Sequence, residues 1–520
     1  MRFTATFARK LSFSLLLAAF GTSFLFSQEP PNSLGITTTT RAGQSIGGDD
    51  HFSYPGSYTD LGVGLSYRSS TGFYGDIDLA ARNDGRYTVA DSALLGIPFY
   101  LIMQTGGIGY DGETFSGRAG RFVPEDVLDN PYSLFVSSRA RPSLLYEFEY
   151  SGEWVRFLTR SVELNRNSAL DHPDRSVTFQ TTGFVRPTWE FGFQQAIVAV
   201  SLDGRSDGTG PLFVPEYFLN PFPNYLTQWT LGGGDTPWRQ DINHKSLMGF
   251  YGRLELPGPD LGPAGEQSQW EFQGQWLVDD FAANLIWERE GDVNPFMMAW
   301  LASAALHTDW GRLRLTHAAS HAYTFQTSAG RRYSYTWYPE VYYPVDGELR
   351  PLDYRDNYAG FYHGPNTAAI RLDWQHDLPA DTIPATLPLD PLRLDAGLAY
   401  TASGEKSPLN PWGELESWRD HDTDGRDHTR WLDDDVLEHA IELDLSAAAE
   451  LPITPRQRLG LSLGLDLSHR WNPITLTDSD RTASDDFPDD PQQAERYVPR
   501  PGETHTDLRG NISLQYSLSF

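Results

Sequence analysis

The stretch RLGLSLGLDLSHRW sets Leu459, Leu461, Leu463, Leu465 and Leu467 at every second position, with Gly460, Ser462, Gly464, Asp466 and Ser468 between them. Successive side chains of a strand point to opposite faces, so this segment has one fully apolar face and one polar face. Two environments accept such a strand. One is a sheet laid on a soluble core. The other is the wall of a transmembrane barrel, with lipid outside and water inside. The pattern recurs. HAIELDLSAAAEL aligns Ile441, Leu443, Leu445, Ala447, Ala449 and Leu451, and LRLDAGLAY aligns Leu392, Leu394, Ala396, Leu398 and Tyr400. AAIRLDWQH, LLYEFEY (144–150), DLGVGLSYR (60–68) and FYGDIDLAAR (73–82) read the same way, the last two pairing across SSTG. There is no sustained helical period and no internal repeat.

The connections decide between the two environments. Counting back from the closing strand, NISLQYSLSF, the link to 458–471 is long, that from 439–451 to 458–471 is only PITPRQ, and Thr401–Glu438 is long again. The Pro-rich LPADTIPATLPLD is shorter, and roughly 326–366 is long. Outer-membrane barrels have this asymmetry of short periplasmic turns and long external loops, whereas a soluble sandwich requires no such order. Met1 to about Ser27, with Arg2, Arg9, Lys10 and the apolar run Leu11–Phe26, reads as a secretory signal peptide. The chain has no cysteine, which excludes disulfides and thiolate metal sites. Its formal charge of −29 becomes about −32 once the three basic residues of the leader are removed, which argues against nucleic-acid binding. Beyond residue 27 no apolar run is long enough for a spanning helix.

The expected fold is therefore all-β: a transmembrane antiparallel barrel of the outer-membrane type, with about 16–18 strands, long external loops and short periplasmic turns. The expected organisation is 1–27 signal peptide, 28–55 an N-terminal periplasmic or irregular segment, and 56–520 the barrel. LQYSLSF, ending on Phe520, resembles the C-terminal signature by which bacterial outer-membrane barrels are read by their assembly machinery. GRAGRFVPEDVLDNPYSLFVSS, YGRLELP with EFQGQWLVDDF, and YHGPNTAAIRLDW are similar in order and character to pieces of the Wzi-type capsule-assembly barrels. That resemblance spans about 115–375 and implies a surface-polysaccharide role. It carries over no individual binding residue.

Two segments hold candidate sites. Residues 331–362 contain ten aromatics, among them Trp337, Tyr338, Tyr342 and Tyr343, with Arg331, Arg332 and Arg350 close in sequence. Aromatic faces with hydroxyl handles suit stacking on sugars, and arginines suit an anionic glycan. An interfacial aromatic girdle explains the same composition. In DHDTDGRDH, Asp420, Asp422, Asp424 and Gly425 follow the start of a calcium loop, where alternate carboxylates converge around a tight turn. Trp431 stands where the bidentate acid belongs, so a solvated acidic loop is the competing reading. Apart from calcium in this external loop, no cofactor is expected. GQSIG (43–47) and GIGYDG (107–112) match hydrolase-elbow and dinucleotide patterns without the strand–turn–helix context these need.

Three functions remain open. The first is binding or assembly of surface polysaccharide, with outer-membrane lipids and the assembly machinery as further partners. The second is a general or substrate-selective porin. The third, a barrel enzyme, lacks any nucleophile context. A transporter with an N-terminal plug is not expected, since nothing before about residue 60 reads as a separate domain.

Overall fold

The structure, a computed structural model, describes residues 32–46, 57–83, 99–137, 142–165, 175–200, 213, 215–224, 245–260, 267–280, 297–325, 342–345, 348–351, 359–378, 392–405, 431–478 and 495–519. Its strands are β1 (Asn32–Ile46), β2 (Ser57–Ser69), β3 (Phe73–Arg82), β4 (Tyr100–Asp111), β5 (Phe115–Phe122) and β6 (Ser143–Ser151). They continue as β7 (Val155–Asn165), β8 (Arg175–Arg186), β9 (Trp189–Val200), β10 (Lys245–Asp260), β11 (Gln267–Asp280), β12 (Met297–Thr308) and β13 (Gly311–Ser320). After the short ribbon β14 (Tyr342–Val345) and β15 (Glu348–Pro351) come β16 (Thr367–Leu378), β17 (Leu392–Ser403), β18 (Glu438–Thr454) and β19 (Gln457–Trp471). A second ribbon, β20 (Ile474–Asp478) with β21 (Glu495–Pro499), precedes β22 (Thr504–Ser519).

Eighteen of these strands form one sheet that closes on itself. Each pairs antiparallel with the next in sequence, the two ribbons being side excursions, and β22 returns to β1 through Gly35↔Ser519 to Ile46↔Leu508. The expected fold class is therefore the observed one, with the strand number at the top of the expected range. One boundary is corrected: 32–46 is not an irregular segment ahead of the barrel but the strand that closes it, paired with both β2 and β22. The PITPRQ turn also shrinks, because β18 and β19 run on to Thr454 and Gln457. Gly43–Ile46 and Gly107–Asp111 are plain barrel strand, and Gly112 begins the turn that follows, its N–H donating to the Phe115 carbonyl at 3.0 Å.

One rim carries mostly tight connections, such as 70–72, 152–154, 187–188, 309–310 and 455–456, its longest being 379–391. The other carries 83–99, 123–142, 201–244, 321–366, 404–437 and 472–503. On the first rim Gly72, at φ 93°, closes the β2–β3 hairpin by donating its N–H to the Ser69 carbonyl at 3.0 Å. The alternation read in the sequence places its apolar members outward. Val63, Leu65, Ile77, Leu101, Phe250, Trp276, Leu398, Ile441 and Leu461, Leu463, Leu465 and Leu467 of β19 lie exposed on the outer wall. The largest apolar patches of soluble monomers cover a few hundred Å². A belt of this extent on a closed barrel belongs in lipid, and with no helix among the described residues long and apolar enough to cross a membrane, the crossing is made by strands. The protein is an outer-membrane barrel.

Candidate functional site in the barrel lumen

Inward positions carry the charge. Arg118 meets Glu147 at 2.8 Å and Arg160 pairs with the same carboxylate. Arg156 meets Glu149 at 2.7 Å, Arg312 meets Glu271 at 3.1 Å, and Arg371 bridges Asp373 and Asp444 at 2.7 and 2.8 Å. Near the tight rim the pairs stand in the open lumen: the Arg68 and Asp76 side chains are 50% and 24% exposed, those of Arg458 and Glu450 66% and 54%. Deeper in, Tyr251 is buried and donates to Glu190 at 2.6 Å. Its ring lies over Gly183 and Gly192, where any Cβ would overlap it, so those two glycines make room for a side chain inside the wall.

Toward the long-loop rim, one sector of the lumen is filled. After Phe122 the chain turns inward as 123–137. Two side-chain-closed turns shape it: Asp126 accepts from the Leu128 N–H at 3.3 Å and Asn130 from the Tyr132 N–H at 3.0 Å. Asp129 takes a positive φ of 46° between them. Two glutamines on the inner face of β11 clamp the segment. Gln273 donates to the Leu128 carbonyl at 2.8 Å and accepts from Asn130 at 3.0 Å. Gln275 donates to Asp126 at 2.7 Å and accepts from the Leu134 N–H at 2.7 Å. Arg160 and Arg314 donate to the carbonyls of Glu125 and Asp129 at 3.0 and 3.1 Å. Neutral amides are the right partners here, since each offers a donor and an acceptor to a buried backbone without adding charge.

Apolar packing completes the fill. Tyr132, Leu134, Phe135 and Val136 of the segment pack with Leu145, Val162, Val177, Phe179, Val198, Leu247 and Leu277 of the wall. A second inward piece, 359–366, joins them: Ser137 donates its N–H to the Ala359 carbonyl at 3.1 Å, and Phe361 belongs to the same cluster. His363 is buried among the rings of Tyr132, Phe361 and Tyr362 at 4.9, 5.7 and 4.7 Å. Burial, reinforced by the charges of Arg371 and Arg470, pulls its imidazole down to about 3. Burial pushes the Asp126 carboxyl up, against the hydrogen bonds that lower it. Asn366, at φ 53°, ties the loops above: its side chain donates to Asp434 at 2.6 Å and accepts from the Leu432 N–H at 2.8 Å.

The anchors named above all lie on β6–β13. Across the lumen, the mid-height inward positions of β19, β22, β1 and β2 are mostly small: Gly460, Ser462 and Gly464; Asn511, Ser513 and Ser517; Gly35, Thr37 and Thr39; Gly62, Gly64 and Ser66. Gln515 interrupts them, Arg68 and Arg458 lie below, and Arg41, Asp60, Asp466 and Arg509 lie above. A barrel narrowed on one side by a clamped segment and lined by small residues on the other has the geometry of an eccentric constriction.

Arg331, Arg332, Trp337, Tyr338, Asp420, Asp422, Asp424 and Phe520 lie outside the described residues. Tyr342 and Tyr343 lie on β14, paired through backbone with Pro351 and Arg350. Of the ten aromatics in 331–362, Phe361 and Tyr362 are packed inside the lumen. The pieces that carry the capsule-barrel resemblance do meet: 123–137, Gln273 and Gln275 of β11, and 359–366 build the constriction together. Sequence reasoning missed Asp126, Gln194, Gln273, Gln275 and His363. A signal was present in EFQGQW, whose two amides alternate with Phe272 and Trp276 and so had to face inward.

No protein-family model matches the chain, and no curated protein sequence does. Among solved structures it is similar to OprD of Pseudomonas aeruginosa, at 11% identity over 94% of this chain and 95% of that one, with a TM-score of 0.44. It is also similar to P. aeruginosa OccK8 (OprE), at 9% identity over 94% and 98%, with a TM-score of 0.46. A third similarity is to Wzi of Escherichia coli, an outer-membrane protein of group 1 capsule assembly described as a carbohydrate-binding barrel. Here identity is 11% over 92% of this chain and 83% of that one, with a TM-score of 0.46.

Proposed function

We propose that the protein is a substrate-selective porin for small hydrophilic solutes. The observation that supports this best is the constriction: 123–137 is clamped to β7–β13, while the β19–β22–β1–β2 sector opposite is mostly small at mid-height and charged above and below. Solute passage needs a wet, narrow, chemically defined channel rather than a wide lumen, and an inward loop held by its own hydrogen bonds supplies that. Exposed ion pairs at the tight rim, such as Arg68 with Asp76, give the lumen fixed charges facing water. The reading takes no catalytic residue.

A surface-polysaccharide role is the second reading, supported by the convergence of the capsule-like stretches on this one site. Against it, the aromatics Phe361 and Tyr362 are spent on packing. Planar-bilayer recording separates the two. A porin gives discrete unitary conductances that rise when Gln273→Ala and Gln275→Ala are combined to release 123–137. A silent membrane with correctly folded protein rejects the porin reading and leaves glycan binding to be measured by pull-down.

A further inference from the structure

The lipid-facing belt has a gap in the wall itself. On β10 the outward positions Met248, Phe250, Leu254 and Leu256 are apolar, and on β19 five leucines run in sequence. Apart from Ile197 and Ala199, both buried high on β9, the apolar outward positions of β7, β8 and β9 are those nearest the tight rim: Val155 and Phe157, Phe184, and Trp189, Phe191 and Phe193. Above them the outward side chains are Thr159, Ser161, Thr178, Gln180 and Gln195. The register sets Thr159 beside Gln180, Ser161 beside Thr178 and Gln180 beside Gln195, so they form one patch. None of the five is more than 5% exposed.

What covers them is a piece of the β9–β10 connection, Phe213 with Pro215–Asn224, containing the short helix α1 (Pro215–Leu219). It lies on the outside of the barrel. Gln180 donates to the carbonyls of Tyr217 and, at 2.7 Å, Asn220. Gln195 donates to the Phe222 carbonyl at 3.1 Å and accepts from the Asn224 N–H at 2.7 Å. The Asn224 side chain donates to Ser246 at 2.7 Å. The opposite side of this strap presents Leu219 and Phe222, 71% and 66% exposed. Phe213 packs edge-on against the belt residue Tyr146 at 5.7 Å and against Phe218 at 5.1 Å, which joins the strap to the apolar surface of β6.

We propose that 213–224 is a membrane-embedded strap that repairs the belt over β7–β9 and contacts acyl chains of the outer leaflet through Leu219 and Phe222. Height supports this. Gln180 and Gln195 lie about seven residues above the 187–188 turn, roughly 18 Å at ~3.3 Å per residue and ~40° tilt, inside an apolar band ~25 Å tall. At that depth irregular backbone is tolerated only where protein satisfies its polar groups. The wall does this: its outward amides are spent on the strap's carbonyls and N–H groups. A strap sitting in water would need none of these closures, and it would leave two large apolar side chains wet.

The chain has no cysteine, so single cysteines carry nitroxide labels without background. Labels at Phe213→Cys, Leu219→Cys and Phe222→Cys are compared in lipid bilayers with a belt reference, Phe191→Cys, and a rim reference, Glu503→Cys. Heat-modifiable migration checks that each variant is folded. The proposal expects collisions with oxygen at 219 and 222 to exceed those with a water-soluble nickel chelate several-fold, as at 191. Chelate access like that at 503 places the strap above the membrane and overturns the proposal. Shielding from both relaxants, with dipolar broadening between labels, means a second copy covers the face and also overturns it.

Discussion

Asp126 shows how much one side chain can organise inside a barrel. It is a buried carboxyl that accepts from Gln275, Gln194 and the Leu128 N–H, and it is through Gln275 that it also reaches the Leu134 backbone. Asp126→Ala strands these donors, and an unsatisfied buried donor costs about 1–3 kcal/mol. Opening of 123–137 should become easier by about 2 kcal/mol, read as lost amide-exchange protection at Leu128 and as noisier single-channel currents, with Asp126→Asn much milder. His363 adds a pH dependence. Its imidazole titrates near 3 when packed and near 6.5 when exposed, so the opened form takes up a proton first. The closed arrangement is therefore fully stable above about pH 6.5 and weakens as pH falls toward 3. At pH 5.5 the loss is on the order of 1 kcal/mol. Asp126, pushed up by burial, responds in the opposite sense, so the comparison must be with His363→Phe, which keeps the ring and removes the titration. Wild-type channels should open more at pH 5.5 than at 7.5, and the variant should not. Equal acid response in both would assign the effect to other groups.

At the scale of the element, the closing seam is the least obvious part of the wall. β2, β3, β6, β16–β19 and β22 were legible because aliphatic or aromatic side chains fill one face of each. β1 was not. Its outward positions include Thr38 and Thr40, so NSLGITTTTRAG shows no contrast between faces, although it pairs with two neighbours along its length. β7 and β8 were silent for a related reason, since their upper outward positions are the threonines, serine and glutamine that lie beneath the strap. The inward segment 123–137 has no periodicity at all. Its structure comes from turns closed by Asp126 and Asn130 and from amides of a distant strand, which no local pattern reports. If β1 is the seam, a proline within it must be costly, since it removes a ladder donor and clashes with the neighbouring strand. Thr38→Pro should destabilise the barrel by about 3 kcal/mol and shift the heat-modifiable band toward the unfolded position. Unchanged migration and protease resistance would return 32–46 to the expected N-terminal periplasmic or irregular segment.

For the molecule as a whole, the decisive property is where its negative charge sits. The inner wall pairs most of its acids with arginines, as at Glu147, Glu271 and Asp373. The excess lies in the long connections: 404–437 holds ten acids against four bases, and 472–503 eight against three. Both leave the wall at the rim opposite the tight turns, so on the porin reading a solute entering from that side passes connections of net negative charge before an ion-paired inner wall. Such charge concentrates cations and repels anions over about a Debye length, ~10 Å at 0.1 M salt and ~3 Å at 1 M. In a tenfold potassium chloride gradient the reversal potential should therefore have the sign of cation preference. The preference should be clear when the dilute side is near 0.1 M and fade toward 1 M. Neutralising Asp433 and Asp435 to asparagine should reduce it while leaving the unitary conductance at 1 M unchanged. A reversal potential of anion sign at low salt would mean that the arginines of the lumen, not the acidic loops, set the field that solutes meet.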